Sequence, residues 1–248
     1  GSIFVDRTRA MWLKMKEAFD GFENNLLIIS VSPWLYDRAK QSTILKEFEH
    51  LIVLNGLNTN VFCRCEAENI RQKYCVNGGK IIFHATPKFD ANPDNIKGGY
   101  YLLQLAEKFK NCNVKFLIAG AYPEGLCVPQ NVELLGKISD QKELATYYSS
   151  ADITVLTSRR ETFSMIVAES LCCGTPVVGF NAGAPERITI PEFSCFSEFG
   201  NVELLAENIR VMLNREIDRE YLASLAHDKY SRSSMYAKYL KIYKRMIK

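Results

Sequence analysis

The chain has 248 residues, long for one domain and short for two full ones, so one complete domain with a smaller partner is expected. Hydrophobic residues make up 47% and charged residues 24%, which excludes a disordered chain and suits a well-cored one. The net charge of +3 is too mild for a surface that tracks phosphates, so no nucleic-acid partner is expected.

Gly1-Ser2 reads as a cloning remnant, and Phe4 to Phe22 as an amphipathic helix already under way, so the start reads as a cut inside a longer protein. Two strand-like runs follow, Leu26 to Val31 and Leu51 to Leu54. Between them Ser32-Pro33 opens a helical stretch carrying Trp34, Leu35, Ala39 and Leu45. Asn55-Gly56 breaks the second run. The polar stretch Arg64 to Gly79 reads as a connection between domains.

From Lys80 the pattern becomes strand then helix, repeated. Ile81 to Ala85, Val114 to Ala119, Val132 to Leu135, Ile153 to Leu156 and Val177-Val178 are apolar runs. Helices are expected over about 98–110, 141–150 and 164–173, the first with Leu102, Leu105, Ala106 and Phe109 on one face. Continuous apolar strands alternating with amphipathic helices imply an α/β domain, a Rossmann-like doubly wound parallel sheet over 80–230. A last helix from about Ser233 carries Tyr236, Tyr239, Leu240 and Tyr243 at helical spacing, a pattern that reads first as packing. No acidic residue follows Lys229, so a basic helix lying on an anionic membrane is the second reading.

The eight cysteines form no pair of CxxC knuckles, and only His50, His84 and His227 accompany them, so no metal ligand set is assigned. They read as reduced apolar residues of a cytoplasmic protein. No apolar stretch approaches the roughly 20 residues that a membrane span requires.

Such sheets bind ligands beyond the carboxyl ends of their strands. There, Ala151 to Arg187 places Glu161 in a loop and Glu169 inside the next helix, with seven residues between them. The first amides of a helix lack intrahelical partners and sit at its positive end, where a diphosphate fits. Glu169 can chelate a vicinal diol such as that of a ribose, and Glu161 can accept from sugar hydroxyls. An ordinary strand–loop–helix unit, with Glu169 on a solvated face, stays equally open on these two residues alone.

The same stretch resembles the E-x7-E signature of family 4 of the retaining glycosyltransferases, which have the GT-B fold. Glu161, Phe163, Glu169, Gly174, Pro176 and Val177 match, as do Asp152, Ser158 and the Gly183-Ala184-Pro185-Glu186 turn. Upstream, Val132 to Gly136 and Lys97-Gly98 resemble the family's base-side strand and phosphate-side helix start. Ser32-Pro33-Trp34 and Asn55-Gly56-Leu57-Asn58 resemble the end of its amino-terminal domain. The resemblance covers roughly residues 50 to 215.

The resemblance implies that Lys97 binds the donor diphosphate, aided by the amides of Thr162, Phe163, Ser164 and Met165. It implies that Ile138 meets the base through its backbone, that Glu169 holds the ribose, and that Glu161 contacts the transferred sugar or stabilises developing charge. Lys97 and Glu161 are the catalytic candidates; no cofactor or metal is expected. The family's usual arginine after the first strand is replaced by Thr86, with Arg159 or Arg160 as candidate substitutes. Ser164 stands where a glycine is usual, and serine is a good helix cap.

The implied architecture is an amino-terminal (acceptor) domain remnant over 1–62, a linker over 63–79, the nucleotide-sugar domain over 80–230, and a terminal helix over 231–248 returning to the first part. The implied activity is metal-independent transfer from a nucleotide diphosphate sugar, by family frequency a UDP-sugar, to a saccharide or lipid-linked acceptor, as in polysaccharide biosynthesis. The implied location is the cytoplasm, with the inner face of the membrane as a peripheral site. A binding module that holds the donor without transferring it is the alternative. A nicotinamide dehydrogenase is disfavoured, because His84-Ala85-Thr86-Pro87 is no G-x-G-x-x-G.

Overall fold

A computed structural model describes residues 6–22, 25–75 and 78–247. The Gly1-Ser2 reading lies outside the described residues. The expected first helix is α1, Thr8–Phe19, which buries no side chain. Phe19 lies edge-on to Phe48, with ring centroids 5.8 Å apart.

A small unit follows. Strands β1 (Leu27–Ser30) and β2 (Glu49–Ile52) pair in parallel, joined through helix α2 (Pro33–Lys40). Ser32 caps α2 by accepting from the Leu35 amide, and Pro33 supplies a pre-set φ at its first position.

The stretch read as a connection contains a helix, α3 (Glu68–Tyr74), with Ile70 in the core. Arg71 of α3 donates to the Ser150 carbonyl at 2.7 Å and to Asp152 at 3.2 Å. One apolar residue on a short helix leaves almost no periodic signal, which is why composition read it as a linker.

The main sheet has six parallel strands. They are β3 (Lys80–Lys88), β4 (Val114–Ala121), β5 (Val132–Gly136), β6 (Ile153–Leu156), β7 (Val177–Phe180) and β8 (Ser194–Ser197). Their order is β5-β4-β3-β6-β7-β8, the 3-2-1-4-5-6 order of a Rossmann sheet. Helices α4 (Gly99–Lys108), α5 (Gln141–Ser150), α6 (Met165–Cys172), α7 (Pro185–Ile188), α8 (Val202–Leu213) and α9 (Arg219–Tyr230) surround it, and α10 (Arg232–Met246) closes the chain.

Alternation along each strand feeds two cores. Ile81, Phe83, Leu117 and Leu156 pack with α5, α6 and α9 on one face, joined by Leu57 and Phe62 from the amino-terminal side. Ile82, Phe116, Ile118, Ile153 and Val155 pack with α4 and α8 on the other. In α4 the buried Leu102, Leu105 and Ala106 form the apolar face expected from their spacing.

Asp152, almost buried at the start of β6, accepts from the Ile81 amide at 2.8 Å and pairs with Arg71 and Lys80 at 3.2 Å. Arg219 approaches it at 3.8 Å. This single carboxylate ties α3, β3 and α9 to the lower edge of the sheet.

The terminal helix departs from expectation. Tyr236, Leu240 and Tyr243 are exposed, and Ile242 is the side chain that α10 buries. Tyr239 of the same row is half-buried, so this face meets the described residues only in part; Arg245 pairs with Glu49 at 2.8 Å. Among the described residues no helix is long and apolar enough to cross a membrane.

Candidate functional site

Strand order reverses between β3 and β6, since the chain leaves β3 toward β4 on one side and fills β6 on the other. Their ladder is short: Ile82 pairs with Ile153 and Phe83 with Thr154. Beyond it the strands part, and His84 Nδ1 donates to the Val155 carbonyl at 2.9 Å. The carboxyl ends of such a switch point form a crevice.

Lys97 and Glu161 meet at this crevice, with Nζ 2.7 Å from Oε1. Lys97 is brought there by a tightly folded loop. Asp90 and Asn92 side chains accept from amides two residues on, and Asn95 accepts from the Lys97 amide at 2.9 Å. Thr157 Oγ1 then donates to the Lys97 carbonyl at 3.1 Å, and the Arg159 amide donates to the Ile96 carbonyl at 2.7 Å. Gly98, at φ 70°, lies so close to Thr157 that a Cβ would stand 2.0 Å from its carbonyl oxygen. Only glycine permits both the turn and the approach.

Glu161 sits in a bridge to Gly183, its amide donating to the Ala182 carbonyl at 2.9 Å. Glu186 holds that turn by accepting from the amides of Ala182 and Gly183. Trp34 of α2 lies against Gly183, where a Cβ would come within 2.7 Å of the indole. Ser32 Oγ donates to the Thr162 carbonyl at 2.6 Å, so the amino-terminal unit touches the loop that bears Glu161.

Helix α6 begins at Met165, one residue later than expected, so its unpartnered first amides are those of Met165, Ile166 and Val167. Thr162 precedes the helix, and Phe163 is buried with its ring facing Tyr230. Met165 is exposed at the helix start. Ser164 does not cap α6. Its φ is +73°, the only positive value at a non-glycine residue among the described ones, and its buried hydroxyl has no partner. A normal cap requires an extended backbone, which this conformation is not.

Next to the helix start lies a cleft of about 450 Å³. Thr86, Ile138 and Glu169 all line it, so residues from β3, the β5 loop and α6 are brought together. Glu169 accepts from the Tyr148 hydroxyl at 3.0 Å. Burial pushes its carboxyl above the usual range, with the tyrosine hydrogen bond opposing. Tyr148 is itself driven well above its ordinary value by burial and by the Glu169 charge. Thr86 Oγ1 donates to the Lys88 carbonyl at 3.2 Å. Arg159, one of the two candidates for the missing arginine, holds its guanidinium over the Phe199 ring, 5.8 Å from the centroid.

The match to a family model settles the class: one described as glycosyl transferases group 1 spans residues 68–229, from α3 through α9. The chain belongs to this family. Among group 1 relatives, the N-acetyl-alpha-D-glucosaminyl L-malate synthase of Bacillus anthracis is 23% identical over 217 residues, covering 79% of this chain and 55% of its own length. An uncharacterized glycosyltransferase of Methanocaldococcus jannaschii is 29% identical over 163 residues, 60% of this chain and 42% of the relative. The chain thus spans about half the length of these curated relatives.

The fold agrees with the GT-B type. A glycosyltransferase from Rickettsia africae superposes with a TM-score of 0.79 at 20% identity, covering 95% of this chain and 67% of that one. Anabaena HepE, solved in complex with UDP, gives 0.75 at 16% identity, with coverages of 97% and 70%. In this group 1 chain, sequence reasoning missed two residues. Tyr148, buried on α5, donates its hydroxyl to Glu169, and Lys137 lines the cleft. Helical spacing of Ala145 and Tyr148 was the available signal for the first; the second carried none.

Proposed function

We propose that the chain is the donor-binding part of a retaining, metal-independent glycosyltransferase of family 4. It takes a nucleotide diphosphate sugar, with UDP as the nucleotide, and transfers the sugar to a saccharide or lipid-linked acceptor, as in polysaccharide biosynthesis. One observation carries this reading: a partly buried carboxylate, Glu169, lines a cleft on the helix whose first amides are unpartnered, and a lysine, Lys97, pairs with Glu161 in the loop that leads into that helix. Together they match a ribose diol on one side and a diphosphate on the other. The presence of UDP in HepE supports the choice of nucleotide.

In this reading the bond from the sugar's anomeric carbon to the diphosphate oxygen breaks, and the electron pair leaves with the nucleotide. Lys97 and the α6 amides stabilise that charge electrostatically, the role a metal plays elsewhere. The acceptor hydroxyl attacks from the face that the diphosphate vacates, and its proton passes to a diphosphate oxygen. Glu161, released from Lys97, faces the sugar. We place the reaction in the cytoplasm. The exposed apolar and basic residues of α10 support contact with the inner face of a membrane.

A second reading is a module that binds the donor without transfer. Calorimetric titration with UDP, with and without chelator, tests the site; Glu169→Ala should abolish binding, and chelator should leave it unchanged. Donor hydrolysis or transfer then separates enzyme from module. No binding by any nucleoside diphosphate defeats both.

A further inference from the structure

Resting on the donor-site reading, we propose that Tyr148 is a positioning residue for the donor: its hydroxyl holds the Glu169 carboxylate in the orientation that grips a ribose diol. Tyr148 itself does not line the cleft, so it acts on a ligand only through Glu169.

Tyr148 is fully buried on α5, and Glu169 is partly buried on the neighbouring α6. The Tyr148 hydroxyl donates to Glu169 Oε2 at 3.0 Å. The phenol has little freedom to turn away from it. Its ring stands edge-on to Phe83 of β3, with centroids 4.9 Å apart and planes at 86°. Its backbone carbonyl accepts from Thr175 Oγ1 at 2.6 Å, which ties this turn of α5 to the segment after α6.

Glu169 depends on that bond. Among the described residues no cation pairs with its carboxylate, and Tyr148 is the one hydrogen-bond donor to it. Oε1 has no protein partner and is open to solvent. A glutamate side chain turns about several bonds, so the tied oxygen decides where the free one points. A diol presents two donors, and an ionised carboxylate has acceptor positions for both with one left for the tyrosine. Charge is served by the same contact. Burial pushes the Glu169 carboxyl upward, and the Tyr148 bond opposes that, since a hydrogen bond to the charged form favours it.

Calorimetric titration of the chain with UDP and 2′-deoxy-UDP tests this, on the wild type, Tyr148→Phe and Tyr147→Phe. Phenylalanine keeps the ring that fills this part of the core, and melting curves confirm folding. Tyr147, the next residue on α5, is half-buried and stacked on Phe83 at 6.0 Å, so it controls for loss of a phenol hydroxyl from the same helix. The wild type is expected to prefer UDP by about tenfold or more, as for a hydrogen bond to a charged group. Tyr148→Phe should weaken UDP about five- to tenfold and 2′-deoxy-UDP by less than about twofold, so that the preference shrinks to about threefold or less. Tyr147→Phe should leave the preference as it is. A purely structural role for the hydroxyl would weaken both ligands alike. An equal loss for both in Tyr148→Phe, an undiminished preference there, the same fall in Tyr147→Phe, or a wild type that binds the two equally overturns the inference while leaving the donor site standing. A wild type that binds no UDP overturns the donor-site reading and this inference together.

Discussion

Lys97 Nζ lies 2.7 Å from Glu161 Oε1 across the seam where β3 and β6 part, joining the two groups that the sequence nominated for opposite jobs. Lys97 stands 31% exposed and Glu161 14%, so the pair is partly screened from water. An incoming diphosphate competes with Glu161 for the same ammonium. Glu161→Gln removes that competitor and is expected to bind UDP as tightly as the wild type or several-fold tighter. Lys97→Ala should weaken UDP by tenfold or more, on the order of the 1.5–3 kcal/mol of a hydrogen bond to a charged group. Isothermal titration of both variants decides it, and a loss in Glu161→Gln matching that in Lys97→Ala would contradict the arrangement.

Ser164 holds a backbone conformation that costs a non-glycine residue about 1–3 kcal/mol, and it also buries a hydroxyl without a partner. Glycine tolerates φ +73° freely, at the expense of some chain entropy in the unfolded state. Ser164→Gly is therefore expected to stabilise the fold by about 1 kcal/mol, a rise in melting temperature of roughly 2–4 °C for a chain of this size. A fall in melting temperature would show that the serine contributes something the backbone angle does not reveal.

Gly98→Ala should do the reverse. A methyl 2.0 Å from the Thr157 carbonyl oxygen has to displace either the Lys97 loop or the end of β6, and the positive φ adds strain of its own. The expected result is destabilisation of 2 kcal/mol or more, together with loss of UDP binding, because the same loop aims Lys97. Urea unfolding and titration on one sample measure both. Full binding in a destabilised variant would detach Lys97 from the site.

Much of this was readable in advance where residue type dictates backbone. Gly136 ends its strand, and the apolar runs of β3, β4 and β6 announce a sheet covered on both faces. Strand β8 was not legible, since Ser194-Cys195-Phe196-Ser197 is half polar and sits at the sheet edge, where one side needs no apolar cover. The start of α6 was misjudged by one residue, because serine before a helix ordinarily signals a cap and nothing local marks a positive φ. The exposed row of α10 could not be told from a packed one, for periodicity reports a face and not what covers it. Glu169 was legible as a candidate only, and its burial beside Tyr148 comes from α5, distant in sequence.

His84 offers a test that depends on pH. Burial, its largest cause, together with the nearby Lys97 charge, lowers its pKa from 6.5 to about 4. A carbonyl can only accept, so the Nδ1–H donated to Val155 leaves Nε2 as an unprotonated, unpartnered acceptor inside the protein. Between pH 6.5 and 4 the unfolded chain binds a proton here that the folded chain refuses. Stability from this residue is therefore fully present above pH 6.5 and is lost as pH falls toward 4, by about 3 kcal/mol over the window. His84→Leu has no such proton to take up. Its total stability will differ because the Val155 carbonyl loses its partner, so the slope is the quantity to read. Chemical denaturation from pH 7 to pH 4 should show the wild type losing stability faster than His84→Leu, the two curves converging at the acid end. Parallel curves would mean that the imidazole is not held neutral in the fold, and that the gap between β3 and β6 is wetter than the geometry requires.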